Sequence, residues 1–178
     1  MKNIYKISNT SVHLKELKSK DVTLKYIKWM NDYEVMKYTE QKYFKHSKRK
    51  IIKFVNNKLK SKVEYLYGIF LKSKNMEIHV GNIKIGPIDF FHKNALISYF
   101  VGEKNFWGMG ICSIAIKKII FIAKNKFKLK KLYAGFYENN IASKKVLMNN
   151  GFKLEAKFKS HLIFEKKRIS HIYYGKII

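Results

Sequence analysis

Gly102-Glu-Lys-Asn-Phe-Trp-Gly-Met-Gly110 is followed by Ile111-Cys-Ser-Ile-Ala-Ile-Lys-Lys-Ile-Ile-Phe-Ile-Ala123. A run with strand composition, Ala95–Val101, leads into this stretch, and an apolar helix pattern leaves it. Glycines let a backbone approach a ligand closely, and a helix N-terminus presents free N–H groups at the positive end of its dipole. A strand, a glycine-bearing loop and a helix in that order form a candidate seat for a diphosphate. Ser113, in the first helical turn, adds a hydroxyl, and the stripe Ile111, Ile114, Ala115, Ile119, Ile122 is expected to pack the helix on a sheet. The same spacing also suits a plain strand-to-helix turn. It is not a dinucleotide fingerprint, which needs Gly-x-Gly-x-x-Gly in a βαβ unit. It is not a P-loop, which needs Gly-Lys-Ser/Thr.

Upstream of the loop, Val12–Leu17 alternates as a strand. Ser19 or Asp21 is placed to cap a helix reaching Met30, with Val22, Tyr26, Ile27 and Met30 on one face. A short turn follows over Asp32–Lys37. Ser47 is placed to cap a basic helix through Leu59, with Ile51, Ile52, Val55 and Leu59 inward. Three antiparallel strands are predicted over Tyr65–Leu71, Ile78–Ile85 and Ala95–Val101, with turns at Lys74–Asn75 and His92–Lys93–Asn94. Downstream, the loop helix should run from Gly110 to Phe127. A strand is predicted at Leu132–Phe136 and a helix at Ile141–Asn150, ended by Gly151 where a left-handed cap is least costly. Strands at Lys153–Phe164 and Ile169–Ile177 close the chain. The order β-α-α-β-β-β-α-β-α-β-β predicts a mixed α+β protein.

The length, 178 residues, suits one domain over 1–178, with a hydrophobic fraction of 47% and a single proline. The formal net charge is +26, yet only two of the 38 basic residues are arginine, Arg49 and Arg168. That lysine excess, with abundant Asn and Ile, points to compositional bias rather than selection for nucleic-acid reading. The field still attracts phosphates and repels cationic substrates. Nucleic acid would bind through non-specific charge only. The one cysteine, Cys112, forms no disulfide within the chain, which fits a reducing, cytoplasmic setting. It reads as a packing residue. No stretch reaches the ~18 apolar residues of a membrane span, and the scattered histidines predict no metal site.

Three pieces in order resemble one family. Asn105-Phe-Trp-Gly108-Met-Gly110 resembles the loop Gln/Arg-x-x-Gly-x-Gly/Ala of GNAT N-acetyltransferases, with Asn in the first place. Ile97-Ser-Tyr-Phe-Val-Gly102 resembles the strand that ends in that loop. Asn139-Asn-Ile-Ala-Ser143 with Gly151-Phe152 resembles the Asn-x-x-Ser…Gly-Phe segment of the RimJ/RimL-like branch. Trp29-Met-Asn-Asp32 and the terminal strand pair look like the same branch.

The resemblance implies a mostly antiparallel sheet of about seven strands, helices on both faces, and a splayed parallel strand pair holding acetyl-CoA. It implies backbone contacts to the pantetheine arm from Tyr99, Phe100 and Val101. The diphosphate would sit on Asn105, Phe106, Trp107, Gly108, Met109, Gly110 and Ile111, with Ser113 and Asn140 beside it. Most of the family protonates the departing CoA thiolate with a tyrosine, where this chain has Met148. Ser143 matches the serine of the branch and is the expected donor; it also reads as a helix-start serine bonded to the backbone. The glutamate that many relatives carry as base is Leu96 here. Asp89 after the proline, His79 and Glu77 are the remaining candidates, or a water relay without a single base; for Asp89 an Asx-turn is the equal alternative. Trp29, Tyr43, Phe44, His79 and Asp89 are the expected acceptor-binding residues; His79 equally reads as a packed strand histidine, and Tyr43-Phe44 as a hinge.

Three functions fit. The first is acetylation of the amine of a nucleotide-linked amino sugar in bacterial surface-glycan synthesis, since a basic cleft suits an anionic small-molecule acceptor. The second is N-terminal acetylation of a ribosomal or other protein. The third is a non-catalytic acyl-CoA- or RNA-binding module, favoured by the missing Tyr and Glu. Polyamines are disfavoured by the protein's own charge. The terminal strand pair allows a monomer or a homodimer.

Overall fold

A computed structural model of the chain describes residues 11–73 and 76–178. The turn expected at Lys74–Asn75 lies outside the described residues. Seven strands form one sheet in the order β1-β2-β3-β4-β5-β7-β6. They are β1 (Ser11–Glu16), β2 (Tyr65–Ser73), β3 (Met76–Asp89), β4 (Asn94–Val101), β5 (Lys131–Tyr137), β6 (Lys153–Phe164) and β7 (Lys167–Ile177). Every pairing is antiparallel except β4 with β5.

That parallel pair is short. Its register runs Asn94–Lys131, Ala95–Leu132 and Leu96–Tyr133, and there it stops. Ile97–Val101 keep their partners on β3, and Ala134–Tyr137 keep theirs on β7. The two strands therefore part in mid-sheet, as the resemblance implied.

Among the described residues five helices cover the sheet: α1 (Leu24–Met30), α2 (Tyr33–Met36), α3 (Lys48–Lys60), α4 (Ile111–Asn125) and α5 (Ile141–Asn149). Successive strand residues point to opposite faces, and the two cores follow that rule. Leu66 and Phe70 of β2 join Tyr26, Trp29, Met36, Ile51 and Val55 beneath α1–α3. Tyr67, Ile69 and Leu71 join Ile83, Ile85 and Ile97 beneath α4, and Leu147 of α5 lies in the same cluster. A register shift opposite Ile69 and Phe70 leaves Val80 of β3 without a partner on β2, and with it β3 keeps Val80 as well as Ile83 and Ile85 in the α4 core.

Several expectations shift. Thr23, not Ser19 or Asp21, caps α1 by accepting from the Tyr26 N–H. Ser19–Asp21 forms its own 3₁₀ turn, so the helix starts later. Asp32 and Ser47 cap α2 and α3. Leu59 is exposed at the end of α3. The buried stripe of α4 is Ile111, Ala115, Ile116, Ile119 and Ala123, and Ile114 faces outward. β3 runs through Pro87 to Asp89, because the ladder to β4 slips between Ile85 and Ile88 and asks no N–H of the proline. Gly151 has φ +78 at the end of α5, as its position suggested. Among the described residues no helix is long and apolar enough to cross a membrane.

Gly81 shows how closely β3 and β4 approach. A Cβ there would lie 2.2 Å from the Phe100 carbonyl oxygen and 2.8 Å from Val101 Cα. Both are backbone atoms and cannot rotate away. Gly81→Ala should lower the unfolding free energy by about 1–3 kcal/mol, read as a lower midpoint in urea unfolding. An unchanged midpoint would mean that the strands separate freely.

Candidate active site

The loop after β4 is built on anchors. The Gly102 N–H donates to Val80 O at 2.8 Å. Trp29 lies under Gly102, where a Cβ would come 2.2 Å from the indole Cδ2. Lys25 pairs with Glu103 at 2.5 Å, and Lys104 pairs with Asp32 at 2.7 Å. The Lys104 ammonium holds the Asp32 carboxyl below its usual range. Phe106 is buried in the α4 core. The Trp107 indole N–H donates to Val101 O at 2.7 Å. Beyond these anchors, Trp107–Gly110 are exposed.

Gly108 and Gly110 have φ of +78 and +75, and a Cβ on either would meet nothing within 4 Å. Their role is therefore backbone conformation, not fit against a protein neighbour. Gly110 is the N-cap of α4, with no side-chain cap and no acid in the first turn. The leading N–H groups of α4 thus lack a capping side chain, at the positive end of a 15-residue helix. Ser113 meets the buried Asn150 amide, which donates to its Oγ at 2.9 Å.

Along β4 the backbone alternates. Gly102 bonds toward β3, and by the antiparallel alternation Phe100 does too, so Tyr99 and Val101 present their backbone groups to the gap. Val101 O is engaged by Trp107. The side chains then bridge the parting strands. The Tyr99 hydroxyl lies 2.9 Å from Ser143 Oγ and 3.4 Å from Ser143 O. Burial pushes the Tyr99 phenol up, so it stays protonated. Ser143 sits in the first turn of α5, and its N–H donates to Asn140 Oδ1 at 3.1 Å. Asn140 is thus the N-cap of α5, with its carboxamide oxygen committed there.

A cavity of about 450 Å³ opens at this gap on the α1–α3 side. Tyr99, Asn140 and Ser143 line it, with Ser98, Lys84, Lys50, His46, Glu40, Tyr137 and His171 around it. Glu40 is its one lining carboxylate and accepts from the Tyr137 hydroxyl at 2.6 Å. Lys84 donates to Glu64 at 2.9 Å, and Lys50 to the Lys45 carbonyl at 3.3 Å.

None of the five expected acceptor residues lines this cavity. Asp89 is outside the cavity lining, and its carboxylate accepts from the His92 N–H at 2.7 Å, the Asx-turn alternative. The His79 ring is packed against Phe70, Tyr26 and Trp29. Its Nε2 is 2.9 Å from Gly81 O, a group that only accepts, so Nε2 carries the proton and is committed. Trp29 is core, and Tyr43 and Phe44 are exposed outside the lining, with Tyr43 O–H donating to Ile163 O at 3.2 Å. Met148 is exposed on α5. Glu40, Tyr137 and His171 escaped the sequence reading. They sit in unrelated segments, and only the strand register brings the last two side by side. Among the described residues no group of three or more His, Cys, Asp or Glu is placed to hold a metal.

Comparison with known proteins agrees with this geometry. Residues 11–153 match the model of a family described as an acetyltransferase (GNAT) domain. The chain is 29% identical over 119 residues to a probable N-acetyltransferase, YjcK, of Bacillus subtilis (strain 168). That match covers 64% of this chain and spans 61% of the length of the curated relative. A spermidine N-acetyltransferase from Vibrio cholerae, solved with CoA and spermine, has the same fold, with a TM-score of 0.82 at 14% identity. The match covers 93% of this chain and 95% of that one. RimL, a ribosomal L7/L12 alpha-N-protein acetyltransferase solved with CoA, superposes with a TM-score of 0.81 at 19% identity over 94% of each chain.

Cys112, one residue inside α4, is pushed up to about 12 by burial. A thiol reagent at mildly alkaline pH should leave it unlabelled in the folded protein and label it fully in denaturant, since the thiolate is the nucleophile. Fast labelling of the folded chain would instead mark an open, activated thiol.

Proposed function

The chain belongs to the GNAT acetyltransferase family, and on that footing we propose that it transfers the acetyl group of acetyl-CoA to the primary amine of a nucleotide-linked amino sugar. The residues present suit the cofactor. Gly108 and Gly110 leave open space over the leading N–H groups of α4, which favours a diphosphate. Tyr99 and Val101 offer a strand edge along the gap for an amide-bearing arm. Acetyl-CoA supplies a thioester carbon for attack and a thiolate as leaving group.

The observation that carries the reading is the Tyr99–Ser143 hydroxyl pair at the parting of β4 and β5. Either hydroxyl of the pair can donate to the other, and when the Tyr99 O–H donates to Ser143 Oγ the serine proton is left to point outward. A hydroxyl so placed donates to a departing thiolate, the task Met148 cannot perform. The positive end of α5 favours the same negative charge.

The acceptor class is argued from charge. The cavity holds Lys50, Lys84 and His46 against the single carboxylate Glu40. With a net charge of +26, such a wall suits a phosphate-bearing amine and opposes a polyamine. The enzyme of Vibrio cholerae solved with spermine shares the fold at only 14% identity, which leaves acceptor choice to local side chains. A second reading, acetylation of a protein N-terminus, is favoured by the likeness to RimL. It also suits a basic chain attracted to ribosomal RNA.

Release of CoA thiol from acetyl-CoA should be fastest with a UDP-linked amino sugar. Faster release with a peptide beginning in Ala or Ser would move the assignment to the second reading. Ser143→Ala should lower kcat about 100-fold while acetyl-CoA binding, followed by calorimetry, is retained. Unchanged turnover would remove Ser143 from the chemistry.

A further inference from the structure

Resting on the reading of the chain as an amine acetyltransferase, we propose that His171 of β7 takes the proton from the incoming ammonium group. Neither Leu96 nor Asp89 supplies a base at this cavity. The position of the His171 imidazole follows from a glycine. β5 loses its partner β4 after Tyr133, and Gly135 is the second residue of the unpaired stretch. A Cβ on Gly135 would lie 2.6 Å from His171 Nε2. The imidazole nitrogen, with the Tyr173 ring edge 2.9 Å from the same point, therefore occupies the space that any side chain at 135 would fill, directly over the splayed strand.

The face is the useful one. Tyr137 and Gly135 share a strand face, as do their β7 neighbours His171 and Tyr173. Ser98, two residues past Leu96 as Gly135 is past Tyr133, lines the same cavity across the gap. Ser143 approaches the gap from α5, on the α4 side of the sheet. The proposed acceptor and donor of protons thus flank the parting strands from its two faces. An amine entering from the cavity meets His171, and a thiolate leaving toward α5 meets Ser143.

The other cavity histidine is less suited. His46 Nε2 contacts the Gln41 carbonyl at 3.0 Å and must donate there. His171 instead makes ring contacts. It lies 4.5 Å from Tyr173 and 6.0 Å, stacked, from His161 of β6. The charged and titratable groups facing it are His161, Tyr173, Tyr137 of β5 and Glu40 of the 3₁₀ turn Glu40–Tyr43. Burial first, then His161, lowers its affinity for a proton, while Glu40 favours the imidazolium. His171 is therefore neutral near pH 7 and able to accept.

The proton balance closes. The ammonium gives one proton to His171 Nε2, which passes it to solvent. The neutral nitrogen attacks the thioester carbon, a C–N bond forms and the C–S bond breaks. Ser143 protonates the thiolate, and the second nitrogen proton makes good the serine. The net products are the amide, CoA thiol and one proton.

The test uses the full-length protein and whichever amine of the panel it acetylates, whether UDP-amino sugar, Ala- or Ser-peptide, or spermidine. In wild type, kcat/KM should fall as pH drops through a value below the ordinary ~6.5. NMR of the imidazoles should give His171 that same value. His171→Gln should lower kcat/KM about 100-fold at pH 7, abolish that limb and keep acetyl-CoA affinity. Gly135→Ala, which pushes the imidazole aside, should reproduce the loss with the fold intact. An acid limb that survives in His171→Gln, or a rate within twofold of wild type, overturns the assignment of His171 alone. A wild-type enzyme silent on every amine overturns the acetyl-transfer reading and this one with it.

Discussion

The parting of β4 from β5 after Leu96–Tyr133 is the constraint on which the site depends. Two parallel strands that cease to bond leave backbone N–H and C=O groups facing a gap, and such groups need partners. Part of that need is met internally, as where the Trp107 indole takes Val101 O. The rest is an offer to a ligand with amides of its own. The gap is held open because each strand is fully paired on its outer side, β4 with β3 and β5 with β7. The Tyr99–Ser143 contact then spans it from the α5 side.

Around that gap the two cores divide the labour. The apolar stripe of α4 on Ile83, Ile85 and Ile97 fixes the helix whose N-terminus has no side-chain cap. The smaller core under α1–α3 borders the cavity at the gap. The loop Gly102–Gly110 couples the two. Trp29 lies beneath its first glycine, and ion pairs from Lys25 and Lys104 join it to α1 and the α2 cap. The pairs are partly exposed, so each adds little by itself. Their value is positional, since they tie the loop to the N-terminal helices.

The large positive charge bears on encounter more than on fold. Most lysines are on the surface, and cations that line the cavity are tempered by neighbours, as Lys84 is by Glu64. A screened field of that kind raises the local concentration of anions without specifying one. Specificity must come from the handful of polar groups on the cavity wall.

What the sequence determined by itself is the element order, the loop and its glycines. Those signals are local: period-2 and period-3.6 patterns, a capping residue at Ser47, and Gly151 where φ is positive. Ser143 was singled out only through the resemblance of Asn139–Ser143 to the family's segment. Tertiary structure alone decided which strands part and which side chains face the gap. It buried Trp29, packed His79 among aromatic rings, turned Asp89 onto its own loop, and gathered Glu40, Tyr137 and His171 onto one wall. Those residues come from segments far apart in the chain, and sheet register, a non-local quantity, sets their proximity. A glycine at 135 carries no signal in sequence, and its meaning appears only when the imidazole of another strand fills the space it leaves.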